Sequence, residues 1–259
     1  MHLALKVTDL TVHYDAIPVL WDINLEVPCG KFVGILGPNG AGKSTFIQAL
    51  LGFIPKVSGN ILFSGHHLSK IQRKLAYMPQ RASIDWDFPI TVKELVAMGR
   101  FNRLGLFKRA QEHDKKVCRD ALELVELLPF ADRQISKLSG GQQQRLFLAR
   151  AIAQEADIYF LDEPLSGVDH ASEDIIMNIL RTMQLQNKTI FMVHHDLNTA
   201  AKFFDWAILL NLRLVASGPM GKVFVPHLLQ EAYGKSLLLY DEVARLAEKR
   251  AALPQKGTL

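Results

Sequence analysis

One stretch constrains this chain more than any other. Phe32-Val33-Gly34-Ile35-Leu36 is a short apolar run without alternation, the pattern of a strand buried on both faces. It runs directly into Gly37-Pro38-Asn39-Gly40-Ala41-Gly42-Lys43-Ser44-Thr45, which fits G-x-x-x-x-G-K-[ST]. A helical pattern follows over 43–53. Strand, glycine-rich turn and helix in that order make a phosphate-binding loop. The glycines let the backbone turn tightly, so successive N–H groups face inward as an anion nest. The helix adds the positive end of its dipole at the same place. Lys43 supplies a point charge for the β- and γ-phosphates of a nucleotide, and the Ser44 hydroxyl is placed for Mg²⁺.

Further apolar runs lie at Ile158–Leu161, Thr189–Val193 and Ala207–Leu210, with helical patterns at 142–154, 171–185 and 197–203 between and around them. Alternation of strand and helix implies an α/β fold on a parallel sheet. The first 30 residues read as strands instead: Ile23, Leu25 and Val27 alternate with Asp22, Asn24 and Glu26. Short strand-like pieces occupy 57–77, with a turn at Ser64-Gly65. Residues 83–137 hold helical segments, Thr91–Gly99 and Asp114–Leu128, and read as a helical insertion. The tail beyond Gly221 reads as helical through Leu237–Leu239 and frayed from Pro254 to Leu259.

Composition closes off other classes. Thirty Lys+Arg against 26 Asp+Glu gives a formal charge of +4, too mild and too dispersed for a nucleic-acid stripe. The two cysteines, Cys29 and Cys118, form no CxxC pair, which excludes a disulfide scaffold or a cysteine zinc cluster. No uninterrupted apolar run approaches the roughly 20 residues of a membrane span, and no signal-peptide pattern opens the chain.

Two further elements carry chemistry. Ile158-Tyr159-Phe160-Leu161 ends in Asp162-Glu163, and Pro164 stops the strand. Asp162 is the candidate for the Mg²⁺ shell, and Glu163 the candidate base that orients or polarises an attacking water. Leu138-Ser139-Gly140-Gly141-Gln142 then opens a second helix with a serine cap and glycine amides, another anion site. One nucleotide does not need two phosphate nests in one chain. The second nest therefore reads as serving a nucleotide held by another copy.

Together these segments resemble the ATP-binding subunit of an ATP-binding cassette (ABC) transporter along almost the whole chain. The Walker A loop matches 37–45, the LSGGQ signature 138–142 and the Walker B strand 158–163. The resemblance also assigns Gln80 as the Q-loop glutamine and Mg²⁺ ligand, and Asp169 to the D-loop Ser166-Gly167-Val168-Asp169. His195 becomes the switch histidine and Tyr14 the adenine-stacking aromatic. It implies a P-loop NTPase with a RecA-like parallel-sheet core, an N-terminal antiparallel β-subdomain and a helical insertion. The expected subdivisions are a β-subdomain with Walker A over 1–82, a helical subdomain with the signature over 83–153, a Walker B and switch-histidine core over 154–220, and a tail over 221–259. ATP and Mg²⁺ are the implied ligands. A homodimer, integral membrane permease subunits and, indirectly, an extracytoplasmic metal-binding protein are the implied partners, with no nucleic acid. The implied place is the cytoplasmic face of the inner membrane.

A narrower resemblance lies in Ile84-Asp85-Trp86-Asp87-Phe88-Pro89, which is similar to the ATPases of bacterial manganese, zinc and iron importers. Trp86 and Phe88 are candidate docking anchors for the membrane subunit, or else cap the core of the insertion. His194-His195-Asp196 invites a metal-site reading, but neighbours on a strand point to opposite faces and make a poor chelating pair. His66-His67 reads as a polar turn. The competing reading is a soluble ABC ATPase of an assembly machine, which would share every nucleotide motif and which the 84–89 segment disfavours. A small P-loop kinase is a third, disfavoured by the signature, Glu163 and His195.

Overall fold

The computed structural model describes residues 2–14, 17–104 and 110–234. Nine strands are present among them: β1 (Leu3–Tyr14), β2 (Ile17–Pro28), β3 (Phe32–Leu36), β4 (Ser58–Phe63), β5 (Leu75–Met78), β6 (Ile158–Leu161), β7 (Thr189–Val193), β8 (Trp206–Asn211) and β9 (Arg213–Pro219). The helices are α1 (Lys43–Leu50), α2 (Leu68–Ile71), α3 (Val92–Met98), α4 (Phe101–Leu104), α5 (Glu112–Leu124), α6 (Gly140–Ile152), α7 (His170–Leu185), α8 (Leu197–Phe203), α9 (Met220–Val223) and α10 (Pro226–Tyr233).

A six-stranded sheet has the order β5-β6-β7-β3-β8-β9, and a three-stranded antiparallel sheet the order β2-β1-β4. In the large sheet β3 pairs in parallel with both β7 and β8. That central position explains its unbroken apolar run. Phe32 and Leu36 face one core, shared with α3, α5, α6 and α7, while Val33 and Ile35 face the other, shared with α1 and the small sheet. The second core is pinned by aromatic rings: Phe160 stacks on Phe191 at 4.7 Å between centroids and meets Phe63 edge-on at 6.0 Å.

The expected strand at 207–210 is β8, and the turn at Ser64-Gly65 is present, with positive φ at both residues and Phe63 and His66 bonded across it. The structure adds detail at two places and moves one helix end. The strand pieces over 57–77 divide between the two sheets, β4 joining the small one and β5 the large one. The helix expected to Leu128 ends at Leu124, and Leu128–Phe130 form a separate 3-10 turn around Pro129. The large sheet is mixed, because β9 runs antiparallel to β8 at its edge. The readings for 237–239 and 254–259 lie outside the described residues.

His194 supplies a folding prediction. It directly follows β7, is 4% exposed, and its Nε2 lies 2.8 Å from Thr199 Oγ1. His195 beside it is exposed; both residues lie past the end of β7, with their ring centroids 5.9 Å apart rather than on opposite faces of a strand. Burial, and after it the neighbouring His195, lowers the His194 pKa from 6.5 to about 4. The native state therefore holds a neutral ring where the unfolded chain binds a proton. Stability is full above pH 6.5 and is lost as pH falls toward 4, by about 1 kcal/mol at pH 5.5. Thermal unfolding at pH 7.5 and 5.5 tests this: His194→Gln should melt with a smaller drop than the natural chain, and equal drops contradict it.

Candidate nucleotide site

The site forms where β3, β6 and β7 end on one edge of the large sheet. β3 delivers the loop 37–42. Gly42 caps α1 at φ 88°, in the left-handed region, and a Cβ there would stand 2.7 Å from Leu20 Cδ2 and 3.0 Å from the Val19 carbonyl. Glycine is thus required by both conformation and space. Asn39 and Gly40 are exposed at the loop tip, while Gly37, Ala41 and Gly42 are buried and Pro38 and Thr45 half-buried. The Ala41 carbonyl accepts from Leu212 N at 3.1 Å, which fixes the loop to the β8–β9 turn.

Lys43 is 7% exposed, and its Nζ donates to the Gly37 and Pro38 carbonyls at 2.8 Å each. Burial lowers its pKa, and the charges of Glu163 and Asp162 oppose that shift. The next residue, Ser44, donates from Oγ to Asp162 Oδ1 at 3.0 Å. Asp162 is 1% exposed, and burial, then the neighbouring charge of Glu163, raises its pKa. The Ser44 hydrogen bond and Lys43 act in the opposite sense.

Glu163 leaves β6 with φ 52°, a left-handed conformation uncommon for a residue with a side chain. Its Oε2 accepts from Gln80 Nε2 at 2.9 Å. Gln80 arrives there because β5 lies beside β6, with Asp162 N bonded to the Met78 carbonyl at 2.9 Å. Lys43, Ser44, Gln80, Asp162 and Glu163 are thus brought together from three separate segments. His195 follows β7 on the same edge, since His194 N donates to the Ile35 carbonyl at 3.2 Å. Tyr14 ends β1, and its side chain lies outside the described residues.

The 138–142 segment stands apart from this cluster. Leu138 is buried, and Ser139 caps α6: Gln142 N donates to Ser139 Oγ at 3.3 Å, and Gln142 Oε1 accepts from Ser139 N at 3.0 Å. Gly140 and Gly141 form its first turn. A Cβ on Gly141 would meet Ser172 Oγ at 2.4 Å and Asp169 Oδ2 at 2.9 Å. That close approach seats the turn against the start of α7, where Asp169 accepts from Ser172 N at 2.9 Å and from Ser172 Oγ at 3.1 Å. The backbone amide of Ser172 is the main cause that lowers the Asp169 pKa.

A sequence profile of the family described as ABC transporter matches residues 20–166, which span the phosphate loop, the serine-capped turn and the Asp162-Glu163 strand end. The chain belongs to the ABC transporter family. It is 50% identical over 239 residues to the manganese transport system ATP-binding protein MntB of Bacillus subtilis, covering 92% of this chain and 96% of that one. It is 48% identical over 231 residues to the zinc transport system ATP-binding protein TroB of Treponema pallidum, covering 89% and 87%. Among solved structures, CbiO1 of Clostridium perfringens, part of the ABC transporter complex CbiONQ, matches with a TM-score of 0.75 and 26% identity, covering 95% of this chain and 100% of that one. This ABC protein is a nucleotide-binding ATPase. Among its described residues no helix is long and apolar enough to cross a membrane, and no cluster of three His, Cys, Asp or Glu side chains could hold a metal ion.

The two aromatic residues of the 84–89 segment part company. Trp86 is half-buried, edge-on to Phe147 at 5.2 Å, and its Nε1 donates to the Arg81 carbonyl at 3.2 Å. It caps the helical core. Phe88 is 57% exposed. Sequence reasoning also passed over Arg81, which reaches the Gln143 side chain 62 residues away; its position directly after Gln80 was the one available signal.

Proposed function

We propose that this ABC ATPase is the energy-coupling subunit of an importer for a transition-metal ion, manganese, zinc or iron. The ATPase half is carried by one observation: Ser44 on Asp162, and Gln80 on Glu163, converging beside the buried Lys43. The metal half is supported by the relatives named for manganese and zinc transport, which align with nearly the whole chain.

In this reading the amides of 37–45 and Lys43 bind the β- and γ-phosphates of ATP, and Tyr14 stacks on the adenine. The oxygens of Ser44 and Asp162, with the Gln80 amide oxygen left free by its bond to Glu163, suit a hard divalent cation. Mg²⁺ there would offset charge on the phosphates. Glu163 orients the attacking water, and His195 contacts the γ-phosphate. The Ser139–Gln142 turn, with Asp169 behind it, serves the nucleotide of a second copy in a head-to-tail homodimer. ATP joins the halves, and hydrolysis lets them part. The boundaries 1–82, 83–153, 154–220 and 221–259 divide the chain into the parts that perform these tasks. Membrane permease subunits receive the motion, with Phe88 as a docking residue. An extracytoplasmic metal-binding protein feeds the permease, and this subunit sits on the cytoplasmic face.

The test joins uptake with capture. Deleting the gene should lower accumulation of radiolabelled manganese, zinc or iron, and the natural chain but not Glu163→Gln should restore it. Tagged protein from gently solubilised membranes should retain a multi-span protein near one-to-one. Unchanged uptake of all three metals removes the metal reading; soluble partners alone remove the transporter reading.

A further inference from the structure

Arg81 has no part in the nucleotide chemistry just described, yet it follows Gln80 directly and lies beside the serine-capped turn. It begins a single 3-10 turn, Arg81–Ser83, immediately after Gln80. Its Nε donates to Gln143 Oε1 at 2.9 Å. Gln143 is 5% exposed, so that acceptor is withdrawn from water and depends on this donor. A Cβ on Gly140 would lie 3.3 Å from Arg81 Nη1, and one on Gly167 3.7 Å from it. The guanidinium therefore lies between the Ser139–Gln142 turn and the segment leading to Asp169. Behind it, Trp86 donates to the Arg81 carbonyl, and the guanidinium carbon stands 6.0 Å from the Trp86 ring. No carboxylate of the described residues pairs with this cation. What it offers is a rigid planar fork held against neutral groups, a device for fixing orientation.

We propose that Arg81 is a positioning residue for hydrolysis: it ties the backbone carrying Gln80 to the first turn of α6, so that the Gln80–Glu163 contact and the Ser139–Gln142 turn move as one body. The inference rests on the reading of Gln80 and Glu163 as the hydrolytic centre and adds a residue outside it. Gln80 and Arg81 are adjacent in the chain, so a displacement of the glutamine moves the arginine. The bond to the buried Gln143 carries that displacement into α6. Cut at either end, the link leaves Glu163 and the serine-capped turn each intact but no longer in register.

Arg81→Leu, Gln143→Leu and the double variant of the full chain test this, by steady-state ATP hydrolysis and, separately, by the Kd for ATP. Each single change should lower kcat about tenfold, the worth of one hydrogen bond to a charged group, with the ATP Kd within about twofold. The double variant should be no slower than the slower single, because both remove one link. Multiplying losses, or a Kd that rises in step with the fall in kcat, overturns the proposal. Should the leucine variants fold poorly, Arg81→Lys decides: it keeps the charge, loses the fork, and should be slow alone yet recover to within about threefold of the natural kcat when combined with Gln143→Glu. Full activity of Arg81→Lys alone, or no recovery in the pair, also overturns it. Failure of the underlying site reading shows elsewhere, as normal turnover in Glu163→Gln.

Discussion

Glu163→Gln should reduce ATP turnover by roughly 10²–10⁴-fold, the usual worth of a general base, and leave ATP binding in place. The substitution keeps shape and size. Its side-chain oxygen can still accept from Gln80 Nε2, the one hydrogen bond the carboxylate makes to a side chain among the described residues. The left-handed φ of 52° is equally uncommon for either residue, so backbone strain does not change. What changes is the ability to take or polarise a proton. In the proposed function the phosphate contacts belong to the 37–45 loop and Lys43, which the change does not touch. With binding intact and turnover blocked, the ATP-bound form should accumulate, and light scattering should find a dimer with ATP and a monomer with ADP. Near-normal turnover removes Glu163 from the chemistry. Blocked turnover without an ATP-dependent dimer would keep Glu163 but remove the idea that Ser139–Gln142 completes the site of a second copy.

The elements behind this expectation were legible to the extent that they are local. The apolar run at 32–36, the loop at 37–45 and the serine cap at 139 each carry their signal within a few residues, and each forms where its residues place it. His194 and His195 lie just past the end of β7, so strand alternation does not account for the burial of one and the exposure of the other. What escaped is non-local or weakly patterned. β9 is a half-buried edge strand containing Gly218 and ending at Pro219, with no alternation strong enough to mark it. Trp86 and Phe88 stand two residues apart in one loop, and Phe147, on a distant helix, is among the groups that cover Trp86. The left-handed turn at Glu163 leaves no trace in composition. The bond between Arg81 and Gln143 joins residues 62 apart.

Lys43→Ala should fail at a different step, with ATP affinity falling about 10- to 100-fold, the range for losing hydrogen bonds made by a charged donor. The ammonium is held on the loop by the Gly37 and Pro38 carbonyls at 2.8 Å, close to the carboxylates of Asp162 and Glu163. Burial works against its charge, and those two acids support it. In the proposed function, removing it takes away the point charge for the phosphates, and it leaves Asp162 and Glu163 without a cation that offsets their charge. Both effects oppose an incoming polyanion, so the loss should appear in Kd before it appears in kcat. Lys43→Arg restores charge but brings a wider planar head into a position 7% exposed, and should recover affinity only in part. Titration of a fluorescent ATP analogue measures all three proteins. Unchanged affinity in Lys43→Ala contradicts the phosphate-loop assignment itself. Weakened affinity there, beside retained affinity in Glu163→Gln, separates binding at the end of β3 from chemistry at the end of β6, with β7 between them.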